Sequence, residues 1–178
     1  MADLSSSFAG LSLKNPVIIG SSGLTNNENN ILSLEKNGAA AVVLKSLFEE
    51  EIVREMNIGL GKMSGDGFLY PETLEFYEDS YGEEESTVKY LELIKKVKAS
   101  CSIPVIASIN CLSANQWTTF PELIEEAGAD ALELNIFLLP ADLNKEATEQ
   151  EETYYTIVNE VLKQVKIPVV AKISPYFS

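Results

Sequence analysis

The sequence predicts an α/β fold with a parallel sheet, organised as the first five strands of a (β/α)8 TIM barrel behind an N-terminal β-hairpin. Three observations lead there. Five nearly continuous apolar runs alternate with helical patterns, as strands do when both faces of their sheet are covered. Two internal echoes link alternate units: KNGAAAVVLKS (36–46) resembles EAGADALELNI (126–136), and SIPVIASI (102–109) resembles KIPVVAKI (166–173). Likeness between the second and fourth strands, and between the third and fifth, suits the alternating layers of such a barrel. The competing doubly wound nucleotide fold expects G-x-G-x-x-G after its first strand, and GSSGLTNN (20–27) does not supply it.

The elements follow in order. LSSSFAGLSLKNP (4–16) alternates about Ala9 and Gly10 like a short hairpin, which in a barrel would cover the bottom opening. The first barrel strand is PVIIGSS (16–22) and the second is AAAVVLKS (39–46), entered from Gly38 at a helix C-terminus. A long irregular stretch, about 47–85, comes next, and a loop of that length in a compact domain is more often functional than idle. Its GLGKMSG lacks the spacing and the Lys-Ser/Thr pair of a phosphate loop. Val88, Leu91, Ile94 and Val97 form a helical stripe before the third strand, IPVIASIN (103–110). Gly128 ends the helix before the fourth strand, ALELNIF (131–137). Ile157, Val158, Val161, Leu162 and Val165 form the stripe before the fifth, IPVVAKIS (167–174). Residues 1–178 read as part of one domain.

Composition removes several function classes. The net charge is −14, with 27 carboxylates against 13 lysines and arginines, which disfavours a nucleic-acid partner. FEEE (48–51), GEEES (82–86) and TEQEE (148–152) read as solvated helix faces and loops. There is no histidine, so histidine triads and most zinc sites are excluded, and no metal site is expected. No apolar run reaches the roughly 18 residues of a membrane span. MADLSSSFAG has neither the basic start nor the apolar core of a signal peptide, so the expected location is cytoplasmic. Cys101 and Cys111 are expected as free thiols rather than a disulfide.

Barrel active sites lie at the C-terminal ends of the strands. Here those ends carry Ser21, Ser22 and Gly23, then Lys45 and Ser46, Asn110, Asn135 and Lys172. Two lysines closing otherwise apolar strands suit an anionic heteroaromatic ligand, the ammonium groups neutralising charge and the amides reading ring carbonyl and N–H groups. The plainer alternative is that each lysine snorkels into water. Strand alternation points Lys172 inward, and Glu133, on the same face as Asn135, would need a partner there, most simply a lysine.

On these residues the chain resembles the dihydroorotate dehydrogenase family. LSSSFAGLSLKNPVIIGSSG is similar to that family's opening hairpin, Lys-Asn-Pro and Ser-Gly strand end. VVLKS resembles its strand-end Lys-Ser, LELN its Glu-Leu-Asn strand, and VVAKISPYFS its Val-Lys-Leu-x-Pro segment. The resemblance implies an FMN-dependent oxidoreductase of pyrimidine biosynthesis, acting on a CH–CH bond next to a carbonyl of a small anionic substrate, and a homo-oligomer. It places Ser21, Ser22, Gly23, Lys45, Ser46, Asn135 and Lys172 at the cofactor, and Lys45, Asn110 and Asn135 at the substrate. Two departures stand against full activity. The family's Cys or Ser base falls on Leu138, which cannot take a proton, and its asparagine-rich substrate loop has no counterpart in SGDGFLYPETLEFYEDSYG (64–82). Cys111, Ser113, Tyr70 and Asp66 are the stand-in bases. A relative without dehydrogenase activity, serving as a binding or scaffold protein, is the alternative. A tRNA-uridine reductase on a related barrel is disfavoured by the acidic charge. The family holds the FMN phosphate after its seventh and eighth strands, so residues 1–178 alone are expected to be inactive, to hold no FMN tightly, and to associate.

Overall fold

The structure is a computed structural model that describes residues 2–49, 52, 86–111, 119–138 and 146–174. Most of the irregular stretch at 47–85, with GLGKMSG and the divergent substrate loop, lies outside the described residues. So do Ser113, Tyr70, Asp66 and the side chain of Cys111.

Ser6–Phe8 (β1) and Leu11–Leu13 (β2) pair antiparallel. The turn between them places Ala9 at φ 49° and Gly10 at φ 79°, the positive backbone angles that a two-residue hairpin turn needs. The remaining strands form one parallel sheet: Ile18–Ile19 (β3), Ala41–Val43 (β4), Leu47–Phe48 (β5), Val105–Cys111 (β6), Ala131–Ile136 (β7) and Val169–Ile173 (β8). Its order is β3-β4-β6-β7-β8, with β5 pairing β6 beyond the end of β4. This is a half-barrel arrangement of parallel strands with helices on one face. Pro16 has no N–H, and β3 spans only two residues of the predicted 16–22 run.

Alternation along the strands separates two faces. Val42, Leu44, Val105, Ala107, Ile109, Leu132, Leu134 and Ile136 face the helices and form the main core with Ile31, Ile94, Ile124 and Ile157. Each such fully buried aliphatic side chain stabilises by about 1.5–3 kcal/mol relative to exposure. The other face carries Ala41, Val43, Ile106 and Ala131, small or medium residues that meet Leu11, Leu13 and Ile18. The hairpin thus covers the N-terminal end of the inner face, as expected from its alternation.

The helices are Glu28–Lys36 (α1), Ser86–Ser100 (α2), Phe120–Glu126 (α3) and Ala147–Leu162 (α4). Their buried faces differ from the predicted stripes in one consistent way. In α2 the core positions are Tyr90, Ile94 and Val97, while Val88 is exposed. In α4 and the turn after it they are Tyr154, Ile157, Val161 and Val165, with Leu162 exposed. A tyrosine opens each face, its ring supplying apolar area, and on α2 the hydroxyl also reaches the Ser108 backbone.

The two sequence echoes correspond to a repeated contact. Glu35, near the end of α1, accepts from the Ser102 backbone N–H at 2.8 Å and from the Ser102 hydroxyl at 2.6 Å. Glu125, at the matching place in α3, accepts from the Lys166 backbone N–H at 2.9 Å. Gly38 and Gly128, φ 102° and 98°, end the two helices in the left-handed conformation that glycine adopts without strain. Each repeated unit ends a helix on glycine and fastens it to the loop entering a later strand.

Candidate functional site

The site grows from a break in the sheet. β4 pairs with β6 at Val42↔Val105 and Val43↔Ile106, and β5 resumes at Leu47↔Ile109. Between those points the Leu44–Ser46 side has one residue more than β6, a bulge that re-aims the side chains of Lys45 and Ser46. The predicted continuous strand 39–46 is corrected accordingly, and Leu47–Phe48, expected in the irregular stretch, is a strand. The bulge would leave the Ser108 N–H and C=O unpaired. Tyr90 fills the gap: its hydroxyl accepts from Ser108 N at 2.7 Å and donates to Ser108 O at 3.1 Å. Burial, reinforced by the charge on Glu133, raises the phenol pKa above its usual range and keeps it neutral, as both bonds require.

The turn after β3 is fastened to the same bulge. Ser22 caps the short 3-10 turn Gly23–Thr25, accepting from Leu24 N at 3.3 Å. Thr25 O accepts from Lys45 N at 3.2 Å, and Ser21 Oγ accepts from Ser46 N at 2.8 Å. Ser21, Ser22, Gly23, Lys45 and Ser46 are thereby brought together from positions far apart in sequence.

These five residues, with Asn110 and Asn135, line an open cleft of about 230 Å³ at the C-terminal ends of the strands. Register explains the asparagines, since Asn110 on β6 pairs with Asn135 on β7. Phe48 is the eighth lining residue and was missed by sequence reasoning. Its place two residues after Ser46 was the available signal, masked because the run reads FEEE. Glu49 of that run is buried rather than solvated. The Asn110 Oδ1 atom is buried without a hydrogen-bond partner among the described residues. Lys45 Nζ has no carboxylate partner among the described residues. An unpaired ammonium, an orphan amide oxygen and an exposed phenyl ring suit a planar, polar-edged ligand with negative charge.

Lys172 does not line this cleft. It points inward as alternation predicts, but its Nζ lies 3.1 Å from Glu133 Oε1. Glu133 is buried and thereby gains the lysine its burial calls for. Leu138 is half-buried and packs on the main core. Cys101 is a free thiol whose pKa is pushed up to about 11 by burial and then by the Glu35 charge. No group of residues that could hold a metal ion occurs among the described residues. No described helix is long and apolar enough to cross a membrane.

No family model matches the chain. Over its full length it is 30% identical to dihydroorotate dehydrogenase B (NAD(+)), catalytic subunit, of Thermoplasma volcanium, and 32% identical to the same-named protein of Thermoplasma acidophilum. It spans 56% of the length of each. Among solved structures, a phosphonopyruvate hydrolase in complex with oxalate and Mg++ matches with TM-score 0.51 at 15% identity, over 89% of this chain and 48% of that one. A dihydrodipicolinate synthase from Acinetobacter baumannii complexed with pyruvate matches with TM-score 0.50 at 15% identity, over 91% of this chain and 46% of that one. At such identities the structural matches show the barrel-type fold alone. The chain is thus a half-barrel whose sequence is similar along its full length to just over half of a dihydroorotate dehydrogenase B catalytic subunit.

Proposed function

We propose that the chain supplies the strand-end cleft of a flavin-dependent oxidoreductase acting on a small anionic, pyrimidine-type substrate. The observation that supports this most is the convergence of Ser21, Ser22, Gly23, Lys45, Ser46, Asn110 and Asn135 on one cleft that holds an orphan amide acceptor. The residues fit the FMN that the family resemblance implies. Asn110 Oδ1 needs a donor, a planar ring could lie against Phe48, and the space beside Gly23 is open, with nothing within 4 Å of where a Cβ would stand. FMN bound there would supply a hydride acceptor for a carbon next to a carbonyl. The chain's own part is to bind and orient. Lys45 neutralises negative charge at the cleft, Asn110 and Asn135 read ring edges, and Ser46 and Ser21 fix the bulge that aims Lys45. A cytoplasmic location and a homo-oligomer accompany this reading.

Titration with FMN, read by quenching of flavin fluorescence, tests it. Weak but saturable binding is expected, in keeping with the expectation that residues 1–178 alone hold no FMN tightly. Lys45→Ala should weaken it tenfold or more, in keeping with about 1.5–3 kcal/mol for a charge-assisted hydrogen bond, and Asn110→Ala by several-fold, in keeping with about 0.5–1.5 kcal/mol for a neutral one. No saturable binding, or full affinity in both variants, would contradict it.

A second reading is supported by Leu138. At the place of the family's base stands a leucine packed against the core, which suits a relative that binds the cofactor or substrate without turnover. Loss of a positioned general base costs about 10²–10⁴ in rate. Flavin binding with no dihydroorotate oxidation would favour this second reading, and ordinary turnover would exclude it.

A further inference from the structure

Beneath the cleft a line of polar side chains runs from the turn after β3, through the bulge between β4 and β5, to the inner faces of β6, β7 and β8. Ser21 Oγ lies 3.0 Å from Ser46 Oγ, which lies 2.8 Å from Ser108 Oγ. Ser108 Oγ lies 2.9 Å from Glu133 Oε1, and the same carboxylate oxygen receives Lys172 Nζ at 3.1 Å. A hydroxyl has one proton to give, and a carboxylate can only accept. Ser108 therefore donates to Glu133, so the proton in the Ser46–Ser108 bond comes from Ser46. The proton in the Ser21–Ser46 bond must then come from Ser21. Ser21 Oγ also accepts from Ser46 N, which leaves it one lone pair and no proton for anything in the cleft.

We propose that Glu133, acting through Ser108 and Ser46, presents Ser21 to the cleft as an obligatory hydrogen-bond acceptor and so selects a ligand that offers an N–H or O–H there. Glu133 and Ser108 are positioning residues, since neither lines the cleft. Two groups hold the chain in this polarity. Lys172, on β8, supplies the counter-charge to Glu133. Tyr90, on α2, holds Ser108 by its backbone and stays neutral. Asn110 Oδ1 adds a second acceptor at the same cleft. An acceptor fixed at this one point binds a ring atom that carries a proton there more tightly than the same atom without one. Resting on the flavin reading, the consequence is a preference for reduced over oxidised flavin, because reduction adds ring N–H groups.

Neutron diffraction from deuterium-exchanged crystals of the chain reads the polarity directly, whatever the ligand. The expected result is deuterium on the Ser21–Ser46, Ser46–Ser108 and Ser108–Glu133 lines, each donated toward Glu133. A Ser21 deuteron pointing into the cleft would overturn the proposal. The second measurement is the ratio of dissociation constants of oxidised and reduced riboflavin, for the wild-type chain and for Ser108→Ala. The wild type should favour the reduced form by roughly tenfold, about 30 mV for a two-electron couple, and Ser108→Ala should lose most of that preference. An equal preference in Ser108→Ala would overturn the selective role of the chain. Absence of binding by either flavin form, with the deuterium pattern as expected, would instead overturn the flavin reading and leave the acceptor polarity standing.

Discussion

Tyr90 shows how one side chain can set a site that it does not touch. It occupies the ladder gap that lets Lys45 and Ser46 leave the sheet, and it is buried with both of its polar contacts on the Ser108 backbone. Tyr90→Phe keeps the ring and removes both bonds, leaving a buried N–H and C=O unpaired. Such groups cost about 1–3 kcal/mol each. Thermal unfolding should show the loss as a fall of about 2–4 °C per kcal/mol for a chain of this size, and a melting curve unchanged in Tyr90→Phe would mean that the gap is satisfied otherwise. The cleft residues themselves were legible in the sequence, because residues at the ends of apolar strands stand out against their neighbours. Tyr90 was not, because a tyrosine within a helical pattern gives no sign that its hydroxyl reaches a strand. By contrast, the pairing of Lys172 with Glu133 was legible, because alternation sets both on the inner face and a buried carboxylate calls for a counter-charge.

Among the elements, the repeated helix–loop contact connects sequence echo to stability. The bonds from Ser102, chiefly from its hydroxyl, hold the Glu35 carboxyl below the usual carboxylate pKa. A depressed folded-state pKa contributes stability that is fully present above the unfolded-state pKa and lost as pH falls through the folded-state value. Glu35→Gln should therefore lower the melting temperature at neutral pH and narrow the gap from wild type as the solution is acidified below the ordinary carboxylate range. Parallel curves for the two proteins across that range would contradict the linkage. Strand existence, strand order and the helix-ending glycines could be read from apolar runs and from Gly38 and Gly128, because burial and positive φ leave marks in composition. The interruption of the second barrel strand left a mark that the apolar run concealed: Leu44 and Leu47, both in the main core, lie three residues apart, out of step with strand alternation by the one extra residue that the register against β6 shows.

For the whole molecule, the sheet's outer members decide behaviour in solution. Among the described residues β3 and β8 each pair on one side only. Ile173 on β8 is 50% exposed and Val17, before β3, is 51% exposed. Open edges with apolar neighbours favour strand-to-strand association, while a net charge of −14 opposes it. Screening decides between them, as the Debye length falls from about 10 Å at 0.1 M salt to about 3 Å at 1 M. Sedimentation velocity of the chain should show association that grows with protein concentration and with salt. A single monomeric species across both series would show that these edges are covered.

The claim on which the rest depends is that the strand-end cleft is where the ring of a flavin sits. Backbone-amide NMR spectra recorded during an FMN titration test it most directly. The predicted result is concentration-dependent shifts confined to Ser21–Thr25, Lys45, Ser46, Phe48, Asn110 and Asn135, saturating together. Shifts centred on the hairpin or on the outer helix faces, or none at saturating FMN, would contradict it.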